Sequence, residues 1–253
     1  MKNKIKRIHF IGIGGSGMSG IAEVMKTLGF TVSGSDLAIS DTIKSLKKLG
    51  IKVYSEHSKA NIKKVDTIVF SNAISRNNPE LIEAKKNKIP MISRAEMLSE
   101  LMRFKRGIAV AGTHGKTTTS SMLAVALQAC AADPSFAIGG TITASGSNAH
   151  RGTGEIFVAE ADESDGSFVE YKPLAAIVTN VEHDHVDFFH TPEAVTAAFD
   201  SFAATISPDG FLVYCADDAG SARLGTSGVK CTAVSYGEAE SADLRIDQIE
   251  LKA

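Results

Sequence analysis

Two glycine-rich segments contain the residue types that proteins use to bind phosphate groups. The first covers residues 12–17 (GIGGSG), and the second covers residues 112–117 (GTHGKT). Backbone N–H groups in a tight turn before a helix form an anion site, and the positive end of the helix dipole strengthens it. We therefore expect each segment to be a phosphate-binding loop.

The second segment has the composition of a nucleoside triphosphate site. Lys116 is expected to reach the β- and γ-phosphates, and the Thr117 hydroxyl is expected to ligate Mg²⁺. The loop is shorter than the usual pattern, which has four residues between its two glycines, because only two residues separate Gly112 from Gly115. A simple tight turn is the alternative, but Gly-Lys-Thr between a strand pattern and a helix pattern favours phosphate binding.

Two acidic segments in the same part of the chain could complete a metal site. Residues 160–165 (EADESD) follow one predicted strand, and residues 179–187 (TNVEHDHVD) end the next. Ligands of open α/β sheets gather at the carboxyl ends of the strands, so both segments should face the phosphate loop. Mg²⁺ prefers oxygen ligands and keeps several waters, so one carboxylate with the Thr117 hydroxyl would suffice. The histidines suit Mg²⁺ less well, and a solvated strand end is the alternative for the second segment.

The first glycine segment matches the dinucleotide-binding fingerprint. Gly12, Gly14 and Gly17 occupy its glycine positions, and Asp36 follows 19 residues after Gly17. The pattern alone favours an NAD-dependent oxidoreductase. The physical requirement, however, is only a diphosphate at a helix N-terminus and an acidic residue near a ribose, which a UDP-sugar also meets. This segment leaves both ligands open.

The elements that must position these loops alternate between strand and helix patterns. Apolar runs predict strands and helical spacing predicts helices, which indicates two α/β units with parallel sheets, the first Rossmann-like and the second of the P-loop ATPase type. Residues 244–251 alternate like a half-buried strand, for which the sequence shows no partner. The predicted strands are 5–12, 30–36, 51–54, 67–70, 108–111, 156–159, 175–179 and 211–215, and the predicted helices are 18–28, 39–49, 79–88, 117–131 and 192–206.

Composition and charge narrow the class of protein. The chain has 253 residues, 43% of them hydrophobic, which suits one large domain or two ordinary ones. It contains no apolar run of about 20 residues and no signal-peptide pattern, so we expect a cytoplasmic protein without a membrane span. Three cysteines without zinc-type spacing (Cys130, Cys215, Cys231) are expected to be reduced thiols.

A change in charge near residue 106 indicates a boundary. Residues 1–106 contain 20 Lys and Arg against 9 Asp and Glu, whereas residues 107–253 contain 7 against 20. Two domains with different surfaces, residues 1–106 and 107–253, explain the change, and a join between two unlike segments is the alternative. The lysines of the first part are scattered without interleaved aromatic residues, so we expect no nucleic-acid partner.

Taken together, these segments resemble the Mur ligase family. Motifs along nearly the whole chain support the resemblance: HFIGIGGSGM (9–18), GSD (34–36), SNAI (71–74), RAEML (94–98), GTHGKTTT (112–119), EADESD (160–165) and NVEHDH (180–185). The resemblance implies a UDP-sugar-binding domain at residues 1–106 and an incomplete central ATP-binding domain at residues 107–253. It also implies that the C-terminal ligase domain of the family is absent.

The resemblance implies an ATP-dependent ligase of peptidoglycan precursor synthesis. Its substrates would be UDP-N-acetylmuramic acid, L-alanine and ATP, and its metal would be Mg²⁺ or Mn²⁺. The enzyme would join L-alanine to the lactyl carboxylate through an acyl phosphate, and a fragment of this extent would be inactive or partly active. A ligase that recycles murein peptides and an NAD-dependent oxidoreductase are the alternatives.

The resemblance also implies roles for individual residues. It assigns the UDP-sugar to Gly14, Gly15, Ser16, Gly17, Met18, Asp36, Ser71, Arg94, Asn148 and Arg151. It assigns ATP to Gly112, Thr113, His114, Gly115, Lys116, Thr117, Thr118 and Asn180. Lys116, Glu160 and His185 are the expected catalytic residues, and Thr117, Glu160 and His185 are the expected metal ligands.

Overall fold

The computed structural model describes residues 5–15, 17–71, 73–103, 105–143, 146–164 and 166–247. Ser16, which the sequence analysis assigns to the UDP-sugar site, lies outside the described residues. The chain forms two compact units. The first consists of residues 1–98 and 134–153, and the second consists of residues 99–133 and 154–253.

Strands and helices alternate along most of the chain, which confirms the predicted α/β class. No helix in the described parts of the chain is long and apolar enough to cross a membrane. In chain order the elements are β1 (Arg7–Ile11), α1 (Met18–Thr27), β2 (Thr31–Ser35), α2 (Asp41–Lys48), β3 (Lys52–Tyr54), β4 (Thr67–Phe70), α3 (Pro79–Lys86), β5 (Met91–Ser93), α4 (Arg94–Arg103), β6 (Arg106–Ala111), α5 (Lys116–Ala129), β7 (Ser135–Ile142), β8 (Ser147–His150), β9 (Ile156–Glu160), β10 (Ala175–Val178), α6 (Pro192–Ala203), β11 (Phe211–Cys215), α7 (Ala219–Thr226), β12 (Thr232–Gly237) and β13 (Leu244–Arg245), with 3₁₀ turns at Lys59–Ile62 and Ser167–Glu170.

The first unit contains a parallel sheet with the strand order β3-β2-β1-β4-β5. β1 lies at its centre, and its residues from Ile8 to Ile11 are buried, as expected for a strand with neighbours on both sides and helices over the sheet. β1 pairs with β2 so that Ile11 lies opposite Ser35. The glycine loop that follows β1 therefore begins beside the end of β2.

Capping residues in the sequence determine where α2 and α3 of this unit begin. The Ser40 side chain accepts a hydrogen bond from the Ile43 N–H at the start of α2. At the start of α3 the Asn78 side chain accepts from the Glu80 N–H, and Pro79 occupies the first turn, where its missing N–H has no cost. α3 packs on the sheet through Ala84, which lies in a cluster with Ile11, Ile62 and Ile68.

A hairpin of β7 and β8 belongs to the first unit although it lies far along the chain. Its two strands are antiparallel, and the sequence analysis did not predict them. A Cβ added to Gly20 of α1 would lie 3.3 Å from the Ala149 Cβ and 3.5 Å from the Ala137 Cβ. The absence of a side chain at Gly20 therefore lets the helix approach the hairpin closely.

The boundary between the two units of the structure differs from the boundary predicted at residue 106, because of the hairpin and α4. The first unit ends within α4, between Leu98 and Ser99, and regains residues 134–153 through the hairpin. A change in surface charge along the sequence cannot reveal this, because packing against α1 decides where the hairpin belongs. The assignment of residues 1–106 and 107–253 to separate functional domains stays a prediction.

The strands of the second unit run in the order β13-β12-β11-β10-β6-β9, and each neighbouring pair is parallel. β6 lies between β10 and β9, with Ala111 opposite Val178 and Val110 opposite Glu160. The carboxyl ends of these three strands therefore lie side by side. Because ligands of open α/β sheets bind at this edge, the topology places the loops after β6, β9 and β10 together.

The expectation that the last strand has no partner was wrong. Leu244 and Arg245 pair in parallel with Tyr236 and Gly237 of β12. Neither β12 nor α7 was predicted from the sequence, so no neighbouring strand was expected for Leu244 and Arg245. Residues 248–251 of the predicted strand lie outside the described residues.

Candidate phosphate-binding sites

The loop between β6 and α5 has a backbone that only glycine adopts easily. Gly112 has φ +135° and Gly115 has φ +80°, in the region that other residues avoid. A Cβ added to Gly112 would overlap the Thr179 Oγ1 and would lie 3.1 Å from the Thr179 N. Gly112 is therefore required both by its own backbone and by the close approach of the segment after β10.

The segment after β10 holds the phosphate loop at His114. The Asn180 Oδ1 accepts from the His114 N–H at 2.8 Å, and the Asn180 Nδ2 donates to the His114 carbonyl at 3.2 Å. The Thr179 hydroxyl donates to the same carbonyl at 2.6 Å, and the Thr113 N–H donates to the Asn180 carbonyl at 3.1 Å. The structure thus brings Asn180 to the predicted ATP loop, where it fixes the loop backbone.

The Lys116 ammonium group lies over the phosphate loop. It donates to the Gly112 carbonyl at 2.7 Å and to the Thr113 carbonyl at 3.1 Å. It also contacts both carboxylate oxygens of Glu163, at 2.9 Å from Oε1 and 2.8 Å from Oε2. The positive charge of Lys116 is therefore held beside a turn that precedes a helix, where an anion such as a phosphate group can bind.

Glu163 is the residue of this site that the sequence analysis did not select. Its side chain is only 2% exposed, and the His185 Nε2 lies 3.3 Å from its Oε1. Burial raises the pKa of Glu163, and the hydrogen bond and charge of Lys116 oppose that rise. Glu163 belongs to the acidic segment that the sequence analysis identified, but the family resemblance selected Glu160 from it.

The other predicted catalytic and metal residues lie close in the chain to Lys116 and Glu163 or, like His185, contact Glu163. Glu160 is the last residue of β9 and is partly buried, and Thr117 and Thr118 are exposed in the first turn of α5. His185 has φ +51°, and its N–H donates to the Asp184 Oδ1 at 2.6 Å. Among the described residues, no three His, Cys, Asp or Glu side chains form a group that could hold a metal ion.

The donors around Lys116 nevertheless suit a hard divalent cation in part. Thr117 and Glu160 offer a hydroxyl and a carboxylate oxygen, which are the ligands that Mg²⁺ prefers with several waters. The imidazole of His185 is a softer donor, which suits transition metals better than Mg²⁺. The metal ligands given by the sequence analysis stay predictions.

The glycine loop of the first unit is held by the end of β2. The N–H groups of Gly12 and Ile13 both donate to the Ser35 carbonyl, at 2.8 and 3.1 Å. The Gly14 N–H donates to the Asp36 Oδ2 at 2.8 Å. Asp36, which the sequence analysis placed near a ribose, thus contacts the loop backbone directly.

Arg94 is also brought to the glycine loop. A Cβ added to Gly17, which has φ +76°, would lie 3.1 Å from the Arg94 Nη1. Met18 begins α1 and is buried, and the Gly15 N–H donates to the Gly12 carbonyl at 3.1 Å. Both the guanidinium and the helix N-terminus therefore place positive charge at the loop.

Asn148 lies near the glycine loop, because Asn148, Ser19 and the loop residue Gly14 line the same cavity of about 460 Å³. The Asn148 Nδ2 donates to the Ser19 Oγ at 3.1 Å. Ser71, a further predicted site residue, directly follows β4 at the same edge of the sheet. Arg151 differs, because its Nη1 donates to the Thr27 carbonyl at the far end of α1. The structure does not bring Arg151 to the glycine loop.

Each of the two loops lies in a segment that matches a family of known proteins. The family model described as "Mur ligase family, catalytic domain" matches residues 7–106, and the one described as "Mur ligase middle domain" matches residues 110–253. The chain belongs to the Mur ligase family. The two matches cover both glycine-rich loops, so the family resemblance of the sequence motifs is confirmed.

Individual Mur ligases show how far the similarity extends. The UDP-N-acetylmuramate–L-alanine ligase of Nocardioides sp. is 54% identical over 222 residues, which cover 88% of this chain and 50% of that protein. The solved ligase MPL from Neisseria meningitides, named for UDP-N-acetylmuramate and L-alanyl-gamma-D-glutamyl-meso-diaminopimelate, is 33% identical with TM-score 0.84, covering 92% of this chain and 78% of that one. The solved UDP-N-acetylmuramate-alanine ligase MurC from Thermotoga maritima is 31% identical, with a TM-score of 0.82. The match covers 92% of this chain and 53% of that one. The chain spans about half the length of the curated relatives it matches.

Proposed function

We propose that this Mur ligase chain forms the UDP-sugar and ATP sites of an enzyme that joins L-alanine to UDP-N-acetylmuramic acid. The observation that carries the proposal is the cluster of Lys116, Glu163 and His185 beside a phosphate loop, at the ends of neighbouring parallel strands. The names of the relatives that are 46–54% identical support the choice of substrates. We place the reaction in the cytoplasm.

In the second unit, residues 112–118 bind the ATP phosphates, and Asn180 keeps the loop in shape through His114. Lys116 leaves the loop carbonyls and Glu163 to contact the β- and γ-phosphates. Thr117, Glu160 and His185 would hold Mg²⁺ or Mn²⁺, which would supply positive charge against the phosphate oxygens.

The reaction needs charge neutralisation more than a protein nucleophile. A lactyl carboxylate oxygen attacks the γ-phosphorus of ATP, the bond to the bridging oxygen breaks, and ADP leaves. The amine of L-alanine then attacks the acyl carbon, the carbon–oxygen bond to phosphate breaks, and phosphate and one proton leave. Because negative charge gathers on the transferring phosphoryl group, Lys116 stabilises the transition state of the first step.

In the first unit, the glycine loop binds the diphosphate of the UDP-sugar. Arg94 beside Gly17 supplies a planar guanidinium, which suits phosphate oxygens better than an ammonium group. Asp36 shapes the loop through the Gly14 N–H, and Asn148 contacts the sugar side of the cavity.

A murein peptide ligase is the second candidate, because the solved structure of such a ligase reaches TM-score 0.84. Parallel ligation assays with L-alanine and with a murein tripeptide, on the enzyme that contains this chain, separate the two. The NAD-dependent oxidoreductase is not favoured, since the first loop lies in a segment that matches a Mur ligase model and an oxidoreductase has no use for Lys116.

Calorimetric titration of the chain with UDP-N-acetylmuramic acid, NAD⁺ and ATP–Mg²⁺ tests the proposal directly. We expect binding of the UDP-sugar and of ATP and no binding of NAD⁺. Binding of NAD⁺ alone would overturn the proposal. An Arg94→Ala variant should lose UDP-sugar binding and keep ATP binding, whereas Arg76→Ala, an exposed arginine of the same unit, should change neither.

A further inference from the structure

A buried carboxylate lies behind the glycine loop of the first unit. Glu80 is the second residue of α3, and its side chain is fully buried at 0% exposure. Burying a carboxylate is unfavourable unless charged or polar partners compensate it. Its position in the first turn of a helix helps, because the helix dipole favours negative charge there. The partners come from four other segments of the same unit: His9, Ser35, His57 and Asn61.

The four partners occupy both carboxylate oxygens. The Ser35 Oγ donates to the Glu80 Oε2 at 2.6 Å, and the His57 Nδ1 lies 3.0 Å from the same oxygen. The Asn61 Nδ2 donates to the Oε1 at 2.7 Å, and the His9 Nε2 lies 3.3 Å from it. The Glu80 side chain therefore connects β1, β2, the loop after β3 and the 3₁₀ turn at Lys59–Ile62 to α3.

Ser35 connects this cluster to the glycine loop. Its hydroxyl is held by Glu80, and its carbonyl accepts the N–H groups of Gly12 and Ile13. The next residue, Asp36, accepts the Gly14 N–H. The end of β2 therefore fixes three successive N–H groups of the loop, and Glu80 fixes the end of β2.

We propose that Glu80 is a positioning residue, which holds the glycine loop in its binding geometry through Ser35. A loop pre-organised in this way binds a diphosphate without a further ordering cost. The identity of the ligand rests on the proposed function, whereas the effect of Glu80 on the loop does not. An aliphatic residue could fill the same buried space, but it could not hold the Ser35 hydroxyl.

The test combines loop dynamics with ligand affinity. Amide hydrogen exchange is measured for Gly12 and Ile13 in the chain without ligand, and the affinity for UDP-N-acetylmuramic acid is measured by calorimetry. The variants are Glu80→Gln, Ser35→Ala and the double variant. Glutamine keeps the shape of the side chain, but it cannot accept hydrogen bonds at both positions. The control is Glu83→Gln, which removes the same charge from the same helix at a site that contacts Asn87.

We expect Glu80→Gln to speed exchange at Gly12 and Ile13 by roughly tenfold, the effect of losing a hydrogen bond to a charged group. Ser35→Ala should do the same, and the double variant should add little, because the two residues act through one contact. UDP-sugar affinity should fall in parallel, while ATP–Mg²⁺ affinity stays unchanged.

Two results would overturn the inference. One is exchange at Gly12 and Ile13 that is unchanged, or that rises equally in Glu83→Gln. The other is a uniform rise over all amides of the sheet, which is the mark of general destabilisation. If the unmodified chain binds no UDP-sugar, the proposed function fails, and the exchange rates alone still decide whether Glu80 positions the loop.

Discussion

The ammonium group of Lys116 lies 2.8 Å from the Oε2 of Glu163, in a contact between the first residue of α5 and the loop after β9. Because Glu163 is almost fully buried, the contact has little screening by water, and it competes with any phosphate for the same ammonium group. In the proposed function, Lys116 therefore exchanges a carboxylate and two carbonyls for the phosphate oxygens of ATP.

Removal of the Lys116 charge should weaken the binding of ATP. We expect Lys116→Ala to weaken ATP–Mg²⁺ binding by at least about tenfold, because a charge-assisted hydrogen bond to phosphate is lost. Binding of UDP-N-acetylmuramic acid should persist, since the glycine loop is in the other unit. Calorimetry with both ligands checks this, and Lys172→Ala, at an exposed position, is the control. Unchanged ATP binding in Lys116→Ala would remove the residue from the proposed site.

Removal of the Glu163 charge should strengthen the binding of ATP in the absence of Mg²⁺. We expect Glu163→Gln to strengthen ATP binding in the absence of Mg²⁺ by about five- to tenfold, because a negative charge beside the phosphates is removed. The comparison is made by calorimetry in excess chelator, with exposed Glu155→Gln as the control. Weaker binding would show that Glu163 does more than neutralise Lys116.

The amide of Asn180 has to act as both donor and acceptor. Asp at this position can accept from the His114 N–H, but it cannot donate to the His114 carbonyl, and it adds a negative charge near the phosphates. We expect Asn180→Asp to lower ATP–Mg²⁺ affinity by about tenfold or more. Asn77→Asp, at an exposed position, adds the same charge and should leave the affinity unchanged. Equal affinities in the two variants would contradict the role given to Asn180.

A side chain at Gly112 should destabilise the second unit. Alanine there combines a strained positive φ with overlap of Thr179, for which we expect a loss of about 3 kcal/mol in the free energy of unfolding. Gly228→Ala is the matched control, because Gly228 has φ +84° but no atom within 4 Å of an added Cβ. We expect that variant to lose only about 1 kcal/mol. Chemical denaturation measures both, and similar losses would mean that the contact with Thr179 is unimportant.

The buried Glu80 should make the first unit sensitive to acid. Burial alone would raise its pKa, but hydrogen bonds from His9, Ser35 and Asn61 outweigh burial and lower the pKa to about 2. A lowered pKa means that the ionised form stabilises the fold. This contribution is complete above the unfolded-state pKa of about 4.3 and is lost as pH falls towards 2.

We therefore expect the unfolding free energy of the chain to fall by a few kcal/mol between about pH 5 and pH 2 because of Glu80. In Glu80→Gln this part of the pH dependence should disappear, although the variant is less stable at neutral pH. Urea denaturation across this pH range measures the slope. His9 and His57, which face Glu80, are retained in both proteins, and an unchanged slope in the variant would contradict the prediction.

The sequence by itself determined the α/β class, the position of the two glycine-rich loops and the family. These features depend on local patterns: glycines where the backbone needs positive φ, apolar runs of strand length, and a Lys-Thr pair at the start of a helix. The motif at residues 112–117 carries this information within six positions, so no distant contact is needed to recognise it.

Only the tertiary structure decided which distant residues meet. It brought Glu163 to Lys116, joined the hairpin of residues 134–153 to the first unit, turned Arg151 towards Thr27, and paired Leu244 with Tyr236. Each outcome depends on strand order and on helix packing, which bring together residues far apart in the chain. The cluster around Glu80 is a further example. Five separated segments meet at one carboxylate, and no spacing of residues in the sequence predicts this contact.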